Sequence, residues 1–192
     1  LVTDLRSRLV DRTVDKLIMV SFAALKTFDP PVTALHGMPV VAVDRHGKYL
    51  DITVGELHLL VHLARAGWLR WRESAPTPVR PGGKGPIAAR LVLEDGSGFD
   101  LTEAGTKKSL AIHLVRDPQE VERVAWLGPD PLDPAFTADV LAGILAAQGR
   151  SQIKGVLRSQ SIIAGIGNAY SDEILHAARM SPFKVAASFS DE

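Results

Sequence analysis

The chain has 192 residues, enough for one large domain or two small ones, and its 46% apolar content can fill real cores. It carries no cysteine, which excludes disulfides and thiolate zinc sites and fits a reducing cytosol. The 22 basic and 22 acidic residues cancel, so a polyanionic partner has to be met by local clusters of charge.

Leu1, Val2, Leu5 and Leu9 have the spacing of an amphipathic helix over 1–9, which starts without a cap. Strand-like runs follow at 13–21, 40–44, 48–54 and 57–63. The last alternates, with Leu57, Leu59, Val61 and Leu63 on one face and His58, Leu60 and His62 on the other. Further strands are expected at 67–71, 87–93, 98–102 and 109–115. Trp68 and Trp71 are expected to pack on one strand face. Residues 74–86, rich in Pro and Gly with Arg80 and Lys84, read as a mobile loop. Many short strands separated by turn signals predict an antiparallel sandwich or barrel. His58 and His62 have no third ligand nearby, so no metal site is expected. No apolar run is long enough to span a bilayer, and no signal peptide is visible.

Pro129, Pro131 and Pro134 fall within six residues, a run that continues neither strand nor helix. It is the expected linker, 128–134, between a β-rich domain (1–127) and a helical one (135–192). Helices are expected at 137–148, 152–159 and 169–179, with a short helical piece at 161–164. Arg150, Lys154 and Arg158, four apart, would line one face of the helix over 152–159.

Between the last two helices runs Gln160-Ser161-Ile162-Ile163-Ala164-Gly165-Ile166-Gly167-Asn168-Ala169-Tyr170-Ser171-Asp172-Glu173. Gly165 and Gly167 suit a tight turn in which backbone approaches a ligand closely. Asn168 stands at the expected N-cap, with Asp172 and Glu173 in the expected first turn. Exposed N–H groups at such a helix start favour an anion, and the upstream cations agree with phosphate. A glycine turn that serves packing alone fits the same two glycines. A dinucleotide fingerprint does not fit, because no strand precedes the glycines and Tyr170 occupies the third glycine position.

The run from Ile153-Lys154 through 160–173 to Ser181-Pro182 closely resembles the helix–two-turn–helix segment of formamidopyrimidine-DNA glycosylases and their endonuclease VIII relatives. The resemblance implies an α+β fold of two domains, an N-terminal antiparallel β-sandwich with flanking helices and a C-terminal helical helix–two-turn–helix domain. In that family the Asn and an upstream Lys hold phosphates flanking a damaged nucleotide. It implies nucleic-acid contacts for Lys154, Arg158, Gly165, Gly167, Asn168 and Tyr170. Arg45-His46-Gly47-Lys48-Tyr49-Leu50 resembles the family's basic turn, so Lys48 inherits a phosphate contact and an assisting catalytic role. His62-Leu63-Ala64-Arg65-Ala66-Gly67 is similar to a segment whose Met fills the space left by a flipped base, and here Arg65 stands at that position. Residues 101–108 match the loop where relatives carry an Arg and a Phe opposite the lesion; this chain has Lys107 and Lys108 there and neither of those two.

The family's nucleophile is an N-terminal Pro followed by Glu, which forms a Schiff base at C1′ and drives elimination. Leu1 does not match it; the helix over 1–9 is similar to the one that follows that opening, so a turn or two is expected to precede it. The family's four-Cys zinc finger has no counterpart up to Glu192. The expected function is therefore a DNA repair glycosylase with abasic-site lyase activity, acting on damaged double-stranded DNA without a cofactor. The chain is expected to be a monomer, cytoplasmic and nucleoid-associated, with no membrane partner. The alternative is a non-catalytic DNA- or RNA-binding relative that kept the clamp. A third reading is a two-domain protein whose glycine turn merely packs.

Overall fold

A computed structural model describes residues 1–74, 79–82 and 85–188. Lys84 and the centre of the expected loop at 74–86 lie outside them. The chain opens with helix α1 (Val2–Leu9), which buries Leu5 and Leu9 completely. The strands are β1 (Val14–Met19), β2 (Val40–His46), β3 (Tyr49–Val54), β4 (Leu57–His62), β5 (Gly67–Arg72), β6 (Ile87–Leu93), β7 (Gly98–Glu103) and β8 (Ala111–Val115). They form two four-stranded sheets, ordered β1-β6-β7-β5 and β2-β3-β4-β8. The registered pairs are antiparallel, with Leu50 opposite Val61 and Leu69 opposite Leu101.

One core draws on both sheets and on α1. Leu17, Leu91, Phe99 and Leu101 come from the first sheet, and Ile52, Leu59, Val61 and Ile112 from the second. The buried carboxylates of this unit are paired, whereas the Trp71 indole N–H is buried without a hydrogen-bond partner among the described residues. Asp100 of β7 is fully buried and accepts from Arg90 Nε at 2.5 Å, Arg90 Nη2 at 3.0 Å and Arg72 Nε at 3.2 Å. Asp51 of β3, also buried, lies 3.0 Å from His58 Nδ1.

Two strand expectations need correction. The strand expected at 109–115 starts at Ala111, because the Glu103 carboxylate accepts from the N–H groups of Ser109 (2.7 Å) and Leu110 (2.9 Å). Trp68 and Trp71 do not share a strand face. Three residues apart, they point to opposite sides of β5. Trp71 packs against the core with Arg8 stacked 5.0 Å from its ring, while Trp68 is 65% exposed.

The helical part comprises α2 (Glu122–Ala125), α3 (Ala138–Ala147), α4 (Ile153–Arg158) and α5 (Asn168–Ala177). Leu145, Ile153, Val156, Leu157, Ile163 and Leu175 form its own core. The helical piece expected at 161–164 is a turn instead: the N–H groups of Ile162 and Ile163 both donate to Ser159 O, and no helical ladder follows. Arg150 precedes α4 rather than lying on its face.

The compact units are Leu1–Arg45 with Tyr49–Val121, and His46–Lys48 with Glu122–Glu192. The β2–β3 turn thus belongs with the helices. So do Gly128 and Pro129: Gly128 N donates to Gln160 O at 2.9 Å, and Ala164 N to Pro129 O at 3.0 Å. Among the described residues no helix is long and apolar enough to cross a membrane.

Candidate nucleic-acid interface

The glycine turn is held by Gln160. Its Oε1 accepts from Gly165 N at 3.0 Å, and its Nε2 donates to Ile166 O at 2.8 Å and Arg158 O at 3.0 Å. One amide side chain therefore satisfies backbone groups on both sides of the turn, which frees the chain to run without a regular ladder. Gly165 has φ +85°, a left-handed conformation that a side chain would strain. Sequence reasoning does not single out Gln160 as a brace. The available signal is a lone amide five residues ahead of the first glycine of a turn that lacks any other capping residue.

The start of α5 differs from expectation in two ways. Gly167, not Asn168, is the N-cap, and no side chain caps the helix. Asn168 is the first helical residue, exposed, and its side chain makes no hydrogen bond among the described residues. Asp172 and Glu173 fall in the second turn, so the first turn, Asn168-Ala169-Tyr170, carries no acid. The first helical bond comes from Ser171 N to Gly167 O. The N–H groups ahead of it have no acceptor among the described residues, at the positive end of the helix dipole.

Lys48 reaches this turn from the β2–β3 connection. Gly47 has φ +55° and is buried against Leu127: a methyl group on it would stand 3.1 Å from Leu127 Cδ2 and 3.5 Å from Gly165 N. That close seat fixes where Lys48 emerges. A methyl group on Gly167 would stand 3.5 Å from Lys48 Nζ, so the ammonium lies against the N-cap backbone. Desolvation, and then the charge of Arg158, hold the Lys48 pKa below the ordinary lysine value. Neither cation has an ion-pair partner among the described residues, and Arg158 is exposed. Two cations without ion-pair partners among the described residues, close to uncapped amides, make an arrangement whose chemistry favours an anion.

The remaining expected contacts divide. Tyr170, 72% exposed, stands in the first turn of α5. Lys154 is engaged by Asp172 at 2.5 Å. Arg65 belongs to the β unit, exposed in the turn after β4. In the loop at 102–108, Lys108 Nζ donates to Glu103 O, while Lys107 is exposed. No group of three or more His, Asp or Glu among the described residues is placed to hold a metal ion.

The formamidopyrimidine-DNA glycosylase N-terminal domain model matches residues 1–112, and the H2TH domain model of the same glycosylases matches residues 127–192. A formamidopyrimidine-DNA glycosylase of Moorella thermoacetica is 40% identical over 162 residues, covering 82% of this chain and 56% of that protein. That of Symbiobacterium thermophilum is 33% identical over 187 residues, covering 95% of this chain and 59% of that protein. The chain thus spans less than two thirds of these relatives. Among solved structures, the MutM (Fpg) protein of Thermus thermophilus superposes with a TM-score of 0.79 at 29% identity, over 98% of this chain and 65% of that one. The Lactococcus lactis enzyme, non-covalently bound to DNA containing an AP site, gives a TM-score of 0.82 at 22% identity, over 98% of this chain and 71% of that one; this likeness shows the fold. With one family's two domain models matching in order along the chain, it belongs to the formamidopyrimidine-DNA glycosylase family.

Proposed function

We propose that this chain is the DNA-gripping body of a repair glycosylase that excises oxidised bases and cleaves the resulting abasic site. The observation that carries the reading is the convergence of Lys48, Arg158 and the uncapped start of α5 on one turn. Every element there favours a phosphate, and none reads a base edge, as suits an enzyme that must bind any sequence around a lesion. Gly165 and Gly167 keep side chains out of the way of the strand. Asn168 adds a side-chain donor, and Tyr170 adds a contact from the next turn position. Lys154 joins once a phosphate competes with Asp172. Arg65 is the candidate wedge, filling the stack after the damaged nucleotide is flipped.

The chemistry proposed is that of an amine nucleophile. The amine attacks C1′ of the damaged nucleotide, and the base departs with a proton from a general acid. The C1′–O4′ bond of the resulting aminal then opens, O4′ taking a proton, and gives an iminium that acidifies C2′–H; loss of that proton expels the 3′-phosphate and cuts the strand, and water then releases the sugar. The family resemblance gives the nucleophile role to an N-terminal proline amine, and we assign it to none of residues 1–192; Lys48 assists by holding the adjacent phosphate. The 128–134 run is taken as the linker between domains 1–127 and 135–192. A monomer acting in the cytoplasm on nucleoid DNA is the expected setting.

The test is borohydride trapping on a duplex with an abasic site, using a chain that carries its natural N-terminus. A covalent adduct supports the enzyme, and its absence alongside tight binding supports the second reading, a non-catalytic binder. That second reading draws on the loop at 102–108, where Lys108, though exposed, is engaged by the Glu103 carbonyl.

A further inference from the structure

Trp68 is left unexplained by the core, by the glycine turn and by the proposed wedge. It is 65% exposed, on the outward side of β5, while its neighbour Leu69 packs against the core. Its backbone is fixed: β5 pairs with β7 in a register that sets Trp68 opposite Thr102, whose Oγ1 donates to Trp68 O at 3.4 Å. The turn that leads into the strand is closed tightly. Ala64 adopts φ +57°, its N–H donates to His62 Nδ1 at 3.2 Å, and a methyl group on Gly67 would stand only 2.1 Å from Leu63 O. A large indole on so rigid a base keeps a defined position with little ordering cost.

The strand itself is basic, and the acids across the ladder, Asp100 and Glu103, are buried and engaged by Arg90, Arg72 and backbone N–H groups. Residues 57–72 contain no acid. Arg65 and Arg70 flank Trp68 and are both exposed, with no ion-pair partner among the described residues. Arg72, by contrast, is held by the buried Asp100 at 3.2 Å. An exposed aromatic face between two uncommitted guanidiniums suits a polyanion with unstacked bases, since every base has a face to lay on the indole.

We propose that Trp68 stacks on a nucleobase left without a neighbour beside a base-less sugar, with Arg70 holding an adjoining phosphate while Arg65 keeps the wedge role given to it above. This rests on the DNA-binding reading above. An intact duplex offers no free base face, so Trp68 discriminates abasic DNA from plain DNA by stacking alone.

The probes are a duplex with a tetrahydrofuran abasic analogue, the same duplex intact, and a version with 2-aminopurine next to the analogue. Wild type, Trp68→Ala and Trp68→Phe are compared by fluorescence anisotropy, after thermal melting has shown that each folds. Trp68→Ala should weaken binding to the abasic duplex roughly tenfold or more, and the intact duplex by far less. Trp68→Phe should keep most of the preference, and 2-aminopurine emission should be quenched by wild type but not by the Ala variant. Equal effects of Trp68→Ala on both duplexes, no effect on either, or unquenched emission with wild type would overturn the inference. Failure of the wild type to bind any of the three duplexes would overturn the DNA-binding reading itself.

Discussion

Lys48 Nζ rests against the backbone of Gly167, close enough that a methyl group there would lie 3.5 Å away. A charge delivered by one turn to the N-cap of a helix in another part of the sequence has consequences for proton binding. Burial first, and Arg158 second, favour the neutral amine and lower its pKa. The folded chain therefore releases this proton at a lower pH than the unfolded chain, and folding gains stability as pH rises through the window below about 10.4. A phosphate acts oppositely, because it favours the ammonium. DNA binding in that window should take up a fraction of a proton and weaken as pH rises further. Calorimetric titrations in two buffers of unequal ionisation enthalpy measure the uptake, which Lys48→Met should abolish. Equal heats in both buffers for the wild type would remove the phosphate role of Lys48.

The two glycines of the turn should respond differently to a single methyl group. Gly165 has φ +85°, so Gly165→Ala forces a strained backbone and should destabilise the chain by about 1–2 kcal/mol while displacing the start of α5. Gly167 is extended at φ −106°, and its nearest neighbours, Lys48 Nζ and Cε, are at ordinary contact distance. Gly167→Ala should fold normally and show its effect in DNA affinity. Melting temperatures set beside anisotropy titrations separate the two, and equal loss of stability in both variants would contradict this account of the turn.

Sequence periodicity reaches as far as local physics does. Each strand has its own alternation or β-branched run, and α1 its spacing of Leu5 and Leu9, so these elements are legible. Strand ends are less so: β8 begins at Ala111 because Glu103, at the end of β7, claims the N–H groups of Ser109 and Leu110, a side-chain contact that apolar periodicity does not register. Trp68 and Trp71 do not share the face expected of them, and their odd spacing alone places them on opposite sides of a strand. At the candidate site the glycines and Lys48 are visible as residue types. Gln160's grip on the turn is not, because an amide's partners are decided by the fold. Asn168 has cap chemistry but sits one position too late, since Gly167 supplies the extended backbone that an N-cap needs.

Buried Asp100 and Arg90, with the partly exposed Arg72, should govern acid stability of the β unit. Burial pushes the Asp100 carboxyl up, but the hydrogen bond and charge of Arg90, then those of Arg72, more than offset it and leave its pKa below the ordinary value. A depressed carboxylate stabilises the fold above its unfolded pKa of about 3.9, and that contribution fades as pH falls through the folded value. Asp100→Ala strands Arg90 in the interior and should cost about 3–5 kcal/mol at neutral pH. Replacing both partners, as in Asp100→Leu with Arg90→Met, should recover much of that loss and flatten the acid limb of a denaturant-stability profile. A double variant no more stable than Asp100→Ala would show that the pair does more than neutralise itself.

Lys154 and Asp172 test whether the clamp is tuned by an internal competitor. Their side chains are 27% and 52% exposed and meet at 2.5 Å, so the pair contributes about 0–1 kcal/mol to stability. Asp172→Asn should leave melting nearly unchanged. It frees Lys154 and removes a negative charge two residues beyond the first turn of α5, so affinity for any duplex should rise a few-fold. The slope of log affinity against log salt should steepen by up to about 0.9, one further phosphate neutralised. Lys154→Ala should produce the reverse shift, and in the double variant the gain from Asp172→Asn should shrink to the part that comes from removing repulsion alone. Anisotropy titrations across a salt series measure all four corners of this cycle. An unchanged slope in Asp172→Asn would mean that Lys154 meets no phosphate, leaving Lys48, Arg158 and the uncapped amides as the whole grip.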